Sequence, residues 1–365
     1  MITLFCVRPK RFNVGNEAIF VGVRHLLRDS FGGLVNIVQV PAIESAEDGA
    51  LSGLLPKTIH EMNLYGHGVV VGGGNLYENG QLAVDRHALR ALRPPLMLFS
   101  LSHGRIWDNR HQLVPRSDSM SDATIAALHE QAAISVGRDQ ATIDHLRSLG
   151  ATDAILGGCP TLLLSQVALP RPHLGAQAGK GALLSIRHPQ LMSIPLRDQA
   201  RLHDTVTGII AALEADGYGP VRVLCHDTRD LTFASSLGDV EYVLPDDVYS
   251  YLELLRGAPL VVSFRLHAFL PALSLGTPAI NISYDERSSN LVKTIGMEAW
   301  DIDYVRSNDV VAQVRDRISR LGDLTSMREA AQPIWRDLES VMRASMAQFA
   351  TLANAYAAER PPAGG

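Results

Sequence analysis

The sequence predicts an α/β protein, with two doubly wound units facing each other across a cleft and a helical extension at the C-terminus. Three observations carry this expectation. Apolar runs of strand length recur at residues 2–7, 34–40, 68–71, 96–101 and 133–136 without polar alternation, the texture of parallel strands covered on both faces. Segments of helical period lie between them, as at residues 18–31, where Ile19, Val23, Leu26 and Leu27 share one face. A second series then begins after a Pro- and Gly-rich stretch at residues 165–181, which reads as a linker.

Taken in order, the second series has a strand at 182–186, a helix at 202–216 closed by Gly217, and a strand at 221–225. A helix at 248–257, a strand at 260–263 and another at 279–282 follow. Residues 309–321 and 327–356 keep helical period without strands. The expected division is therefore a first unit at 1–170, a second at 182–308, C-terminal helices at 309–358 that pack across both units, and a flexible tail at 359–365.

A chain of 365 residues is long for one hydrophobic core, which also favours two units. Its hydrophobic share of 46%, charged share of 19% and mean hydropathy of +0.06 are those of a globular protein. Lys and Arg total 33 against 38 acids, so a non-specific nucleic-acid binder is not expected, although local basic clefts are compatible with this balance. Cys6, Cys159 and Cys225 form no C-x-x-C pair, so neither a disulfide framework nor a zinc site is indicated. The apolar start is interrupted at once by Arg8, Lys10 and Arg11, unlike a signal peptide. No run approaches the roughly 20 apolar residues of a membrane helix. A cytoplasmic protein is expected, one that can reach membrane-attached substrates from the inner face.

Ligands of open α/β sheets gather at the carboxyl ends of the strands, so the residues just after each apolar run are the candidates for chemistry. After residues 2–7 come Asn13, Gly15 and Asn16, with Asn16 expected to cap the following helix and turn its amides toward the cleft. Gly72, Gly73, Gly74 and Asn75 follow the third run; they lack the features of a phosphate loop or a dinucleotide fingerprint. A packing turn explains them as well as a ligand contact does. Arg138 ends one strand and Arg187 another, and guanidinium forks suit phosphate and carboxylate oxygens. Taken alone, Arg138 is better explained by pairing with Asp139. Arg265 and His267 stand two apart at a third strand end, opposite His226 and Asp227 at a fourth. Residues 102–120 are polar and aperiodic, either an ordinary surface loop or a flap with Trp107 stacked on a sugar ring.

Asn13-x-Gly15 with Glu17, Ala18 and Ile19, then Gly72 to Asn75, then Ser135-Val136-x-Arg138-Asp139, occur in an order that resembles the polysaccharide pyruvyl transferase family. The most specific block is Ser263-Phe264-Arg265-Leu266-His267-Ala268, with Gly276-x-Pro278 and Tyr284-Asp285 downstream. The resemblance runs from about residue 10 to about residue 296. It implies two facing Rossmann-like domains of the GT-B kind. It also implies transfer of pyruvyl from phosphoenolpyruvate to sugar hydroxyls as a ketal, with a carbohydrate acceptor that is free or linked to a lipid or nucleotide. No cofactor and no metal are implied; phosphoenolpyruvate is the donor substrate.

On that resemblance Arg138, Arg187 and Arg265 divide the donor's phosphate and carboxylate, and His267 is the acid that protonates its methylene carbon, kept charged by a nearby anion. Asn13, Gly15, Asn16, Gly73, Gly74, Asn75, His226, Tyr284 and Arg287 complete the substrate-binding set. Three positions depart from the family pattern: Asn16 and Cys159 stand where aspartate is usual, and Arg287 where lysine is common. Cys159 is expected to be a packing residue. Enolpyruvyl transfer, a nucleotide-sugar glycosyltransferase and a catalytically silent anion-binding homologue are the alternatives.

Overall fold

In the computed structural model the described residues are 1–9, 13–44, 50–78, 80–172, 174 and 179–359. Most of the expected tail, at 360–365, and part of the expected linker, at 173 and 175–178, lie outside them.

The first half forms strands β1 (Ile2–Arg8), β2 (Val35–Pro41), β3 (Gly68–Gly74) and β4 (Leu96–Leu101). A short antiparallel ribbon of β5 (Ile106–Trp107) and β6 (Leu113–Val114) follows, then β7 (Ile134–Gly137) and β8 (Ile155–Leu156). The second half contains β9 (Leu183–Ser185), β10 (Arg222–Leu224), β11 (Tyr242–Val243), β12 (Val261–Ser263), β13 (Ala279–Ser283) and β14 (Asp301–Asp303). They assemble into two six-stranded sheets, ordered β2-β1-β3-β4-β7-β8 and β11-β10-β9-β12-β13-β14. Every pairing within them is parallel. The expected GT-B-like class is thus the observed one.

This topology positions the cleft. Strand order reverses between β1 and β3 in the first sheet and between β9 and β12 in the second. Loops leaving neighbouring strands at such a point diverge to opposite faces and open a crevice. Asn13 and Asn75 follow the first pair, and Arg187, Arg265 and His267 follow the second. β3 and β4 are buried along their whole length, as continuous apolar runs require when helices cover both faces.

The strands absent from the sequence expectation, β5, β6, β8, β11 and β14, have two or three residues each, too short for any periodic signal. Residues 102–120 are therefore built around a ribbon and are not a plain loop. The start of the expected linker is also ordered differently, because the 3-10 helix Pro160–Gln166 occupies it.

The separate helical segments expected near the C-terminus are Val310–Ser319 and a single 38-residue helix, Leu321–Ala358, which runs through Pro333. Its N-terminal part packs on the second half, where Trp335 Nε1 donates to the Ile295 carbonyl at 2.8 Å. Its C-terminal part packs against β1, β3, β7 and β8. There Phe349 is fully buried and meets Phe31 edge-on, with ring centroids 6.4 Å apart.

Phe349→Ala opens a cavity beneath the first sheet, so unfolding in denaturant should show a loss of about 3–5 kcal/mol. A loss below about 1 kcal/mol would mean that the helix end does not hold that sheet.

Candidate active site

The two sheets meet at a joint made by the first turn of helix Val14–Ser30. Asn13 caps this helix, its Oδ1 accepting from the amides of Gly15 at 3.1 Å and Asn16 at 3.3 Å. This corrects the expectation that Asn16 is the cap: Asn13 has the extended backbone that a cap needs, and Asn16 lies inside the first turn on the cleft wall. Asn13 Nδ2 reaches across to Asp227 Oδ2 at 2.9 Å, and Val14 N donates to the His226 carbonyl at 3.2 Å.

Between the sheets lies a cleft of about 400 Å³. Asn13, Asn16, Asn75, Arg138, Arg187, His226, Arg265, His267, Tyr284 and Arg287 all line it. Gly15, Gly73 and Gly74 are not among its lining residues. Gly15 instead allows the joint to close: a methyl group there would stand 3.0 Å from His267 Cβ and 3.1 Å from His226 Nδ1. Gly73, at φ +83°, turns the chain directly against the Ile19 side chain, so a side chain there would collide with the helix. Its role is packing within the first half.

The arginines divide by what they already hold. Arg265 donates from Nε to the Ile186 carbonyl at 3.0 Å and from Nη2 to the buried Asp230 at 2.5 Å. Arg229 grips Asp227 with two nitrogens, at 2.7 and 2.8 Å. Burial pushes the Asp227 carboxyl up, but its bonds to Arg229 and Asn13 and the nearby Arg265 outweigh this and hold it well below the usual range. Arg287 is held by Asp285 and by Glu78, the latter at 2.5 Å.

Arg138 and Arg187 are placed differently. Arg138 is buried, its Nε has no hydrogen-bond partner among the described residues, and Asp139 Oδ2 stands 3.8 Å away. Asp139 Oδ1 is occupied as a helix cap, accepting from the Thr142 amide at 2.9 Å, so the expected pairing with Arg138 is present only as a 3.8 Å ion pair through Oδ2, without a hydrogen bond. Arg187 donates only to the Leu191 carbonyl, at 2.7 Å, and makes no ion pair among the described residues. Burial, helped by Arg265, lowers it to about 10.

His267 corrects a further expectation. No anion faces it. Burial first, then Arg138, Arg265 and Arg287, push its pKa well below the usual imidazole value, so the ring is neutral near pH 7 in the unliganded protein. Its Nε2 lies 3.8 Å from Cys159 Sγ, so Cys159 touches the site and is more than packing.

Two features were missed in the sequence. Glu78 is fully buried and accepts from Gly104 N at 2.8 Å as well as from Arg287; burial raises its pKa against the pull of Arg287 and Arg116. Arg116 and Asp118, from the polar segment after β6, pair with each other at 2.8 Å and line the cleft. That segment also reaches the second half, through Arg105 to Glu286 at 2.5 Å and His111 to Asp198 at 3.1 Å. Trp107 lies under the Arg306 guanidinium, 5.7 Å from its centroid. Among the described residues no three His, Cys, Asp or Glu side chains gather as a metal site.

A family model for polysaccharide pyruvyl transferase matches residues 13–286, a span that contains every cleft residue named above except Arg287. The chain belongs to the polysaccharide pyruvyl transferase family. This is a family of transferases. The amylovoran biosynthesis protein AmsJ of Erwinia amylovora is 29% identical over 120 residues, which is 30% of this chain and 28% of AmsJ. This chain therefore spans little more than a quarter of that relative.

Among solved structures, a putative UDP-N-acetylglucosamine 2-epimerase from Listeria monocytogenes superposes with a TM-score of 0.57 at 11% identity, over 97% of this chain and 94% of its own. MnaA of S. aureus, solved with UDP, gives 0.55 at 12% identity over 88% of each chain. At that identity the likeness is one of fold.

Within this pyruvyl transferase family member, the division among arginines makes two substitutions behave differently. Arg138→Met should cost less stability than Arg265→Met, because its ion pair to Asp139 is at 3.8 Å and carries no hydrogen bond, while phosphate binding by calorimetry weakens about 10- to 100-fold. Arg265→Met should cost about 3–5 kcal/mol, because Asp230 is left buried without its cation. A strongly destabilised Arg138→Met protein would contradict this division.

Proposed function

We propose that the protein transfers the pyruvyl group of phosphoenolpyruvate to two hydroxyls of a glycan or glycan precursor, forming a ketal and releasing phosphate. The observation that carries this is the lining of one cleft by Arg138, Arg187 and Arg265 around His267. The donor carries two anionic groups on a three-carbon frame, and the two arginines without a carboxylate in hydrogen-bond reach are the ones suited to receive them. Arg265, locked to Asp230, adds field and a fixed edge. Carbohydrate as the acceptor is supported by the family.

In the reaction, C3 of the donor gains a proton, a sugar oxygen bonds to C2, and the C2–O bond to phosphate breaks. A second hydroxyl then closes the ketal. The diol loses two protons: one replaces the proton delivered to C3 and the other leaves with phosphate. His267 is the proposed donor of the C3 proton. Burial and three cations hold it neutral until the substrate arrives, and the donor's negative charge offsets them. The act of binding thus charges the acid where it is needed.

The sign of the linkage follows. A ring that is neutral when free and charged when bound takes up a proton on binding, and donor affinity rises as pH falls through the bound-state pKa. Calorimetry of phosphoenolpyruvate near neutral pH, in two buffers of different ionisation enthalpy, should show proton uptake in the wild type and none in His267→Gln. With sugar acceptors, His267→Ala should lower phosphate release by about 10²–10⁴-fold. Nucleotide release from nucleotide sugars, without phosphate release from phosphoenolpyruvate, would favour a glycosyltransferase instead.

A further inference from the structure

We propose that His226 is the base that takes the proton from the attacking sugar hydroxyl, and that Tyr251 fixes its imidazole in the tautomer this task requires. The inference deepens the pyruvyl-transfer reading and rests on it for the reaction, but not for the state of the imidazole.

His226 follows β10, is only 1% exposed, and lines the cleft. Its Nε2 stands 2.9 Å from Ser185 Oγ and 3.4 Å from the Tyr251 hydroxyl, and the Tyr251 ring meets it edge-on at 5.2 Å between centroids. The Tyr251 hydroxyl donates to the His267 carbonyl oxygen. A phenol has one proton, so toward His226 the Tyr251 oxygen can only accept. The imidazole proton therefore sits on Nε2, held between Ser185 and Tyr251, and Nδ1 keeps its lone pair.

That lone pair is open. Nδ1 has no hydrogen-bond partner among the described residues, and it faces the bare α-carbon of Gly15, where a methyl group would stand 3.1 Å away. Arg265 and Arg187 bear on the ring with Asp227 opposing them, and Asp230 accepts from its backbone amide at 3.1 Å. Burial and those cations also keep the ring deprotonated near neutral pH, which is the state a base must start from.

The two histidines flank the same glycine, since the methyl position at Gly15 that lies beside His226 Nδ1 is also 3.0 Å from His267 Cβ. One can remove a proton from the hydroxyl while the other supplies one to the donor carbon. As the sugar oxygen bonds to C2, its proton moves to Nδ1 of His226, and His267 protonates C3. When the C2–O bond to phosphate breaks, the departing phosphate takes the proton from His226. The second hydroxyl then adds, and its proton restores His267.

The test has two arms. In the ligand-free protein, ring ¹⁵N shifts should place the His226 proton on Nε2, and Tyr251→Phe should give a mixture of tautomers in a folded protein. A proton on Nδ1 in the wild type overturns the proposal. With phosphoenolpyruvate as donor and methyl β-D-galactopyranoside as probe acceptor, His226→Gln should keep the donor Kd within about threefold and lower phosphate release by about 10²–10⁴-fold. Unchanged phosphate release in His226→Gln overturns the proposed role. A wild-type protein that fails to bind phosphoenolpyruvate strikes the pyruvyl-transfer reading instead and leaves the tautomer result standing.

Discussion

The close approach of the first turn of helix Val14–Ser30 to the end of β10 is the constraint on which the cleft depends. Asn13 and Asp227 are 214 residues apart in the chain, yet a 2.9 Å hydrogen bond joins them, and the next backbone amide donates to the His226 carbonyl. Such contact between a helix end and a loop backbone needs a residue without a side chain, and Gly15 supplies it. The helix end is capped by Asn13 in the same stroke, so one side chain both terminates the helix and ties the sheets. A cleft built on this joint keeps its walls in register, which is what recognition of a small, rigid anion needs.

Charge is arranged on that frame by separating cations that build from cations that bind. Arg229 holds Asp227 within one loop, Arg265 holds Asp230 beyond the end of β10, and Arg287 holds both Asp285 beside it and the distant Glu78. Their fields still reach the cleft, but their donors are directed at protein. Arg138 and Arg187 are left without a carboxylate in hydrogen-bond reach in a buried or half-buried setting. An incompletely partnered guanidinium away from water is unfavourable for folding alone. In the proposed reaction the anionic donor supplies the counter-charge that such a guanidinium lacks.

The sheets were legible in the sequence because a strand buried on both faces must be apolar throughout, and the strand-end arginines stood out against that background. Arg138, Arg187, Arg265 and His267 were found this way. What could not be read were the partners. Glu78 is 209 residues from Arg287, and no local pattern in the chain signals their pairing. The same limit produced the error over the cap, since composition favours Asn13 and Asn16 equally and only the backbone separates them. The glycine triplet was ambiguous for a related reason: Gly73 serves contact with Ile19, a residue whose helical face was legible but whose neighbour across the layer was not. Arg116 and Asp118 lay in a segment without periodicity, ordered by contacts to the second half and not by its own pattern.

The departure at Cys159 gains meaning from this arrangement. An aspartate at that position would face His267 as a permanent counter-ion and hold the imidazole charged whether or not substrate were present. The Cys159 thiol, 3.8 Å from Nε2, is buried, and burial raises its pKa despite Arg138, so it remains protonated and contributes no charge. In the proposed reaction the charged state of His267 thus depends on the arrival of the anionic donor. Proton delivery would be coupled to donor binding more tightly than a fixed carboxylate would allow, since the neutral ring of an empty cleft is too weak an acid to serve.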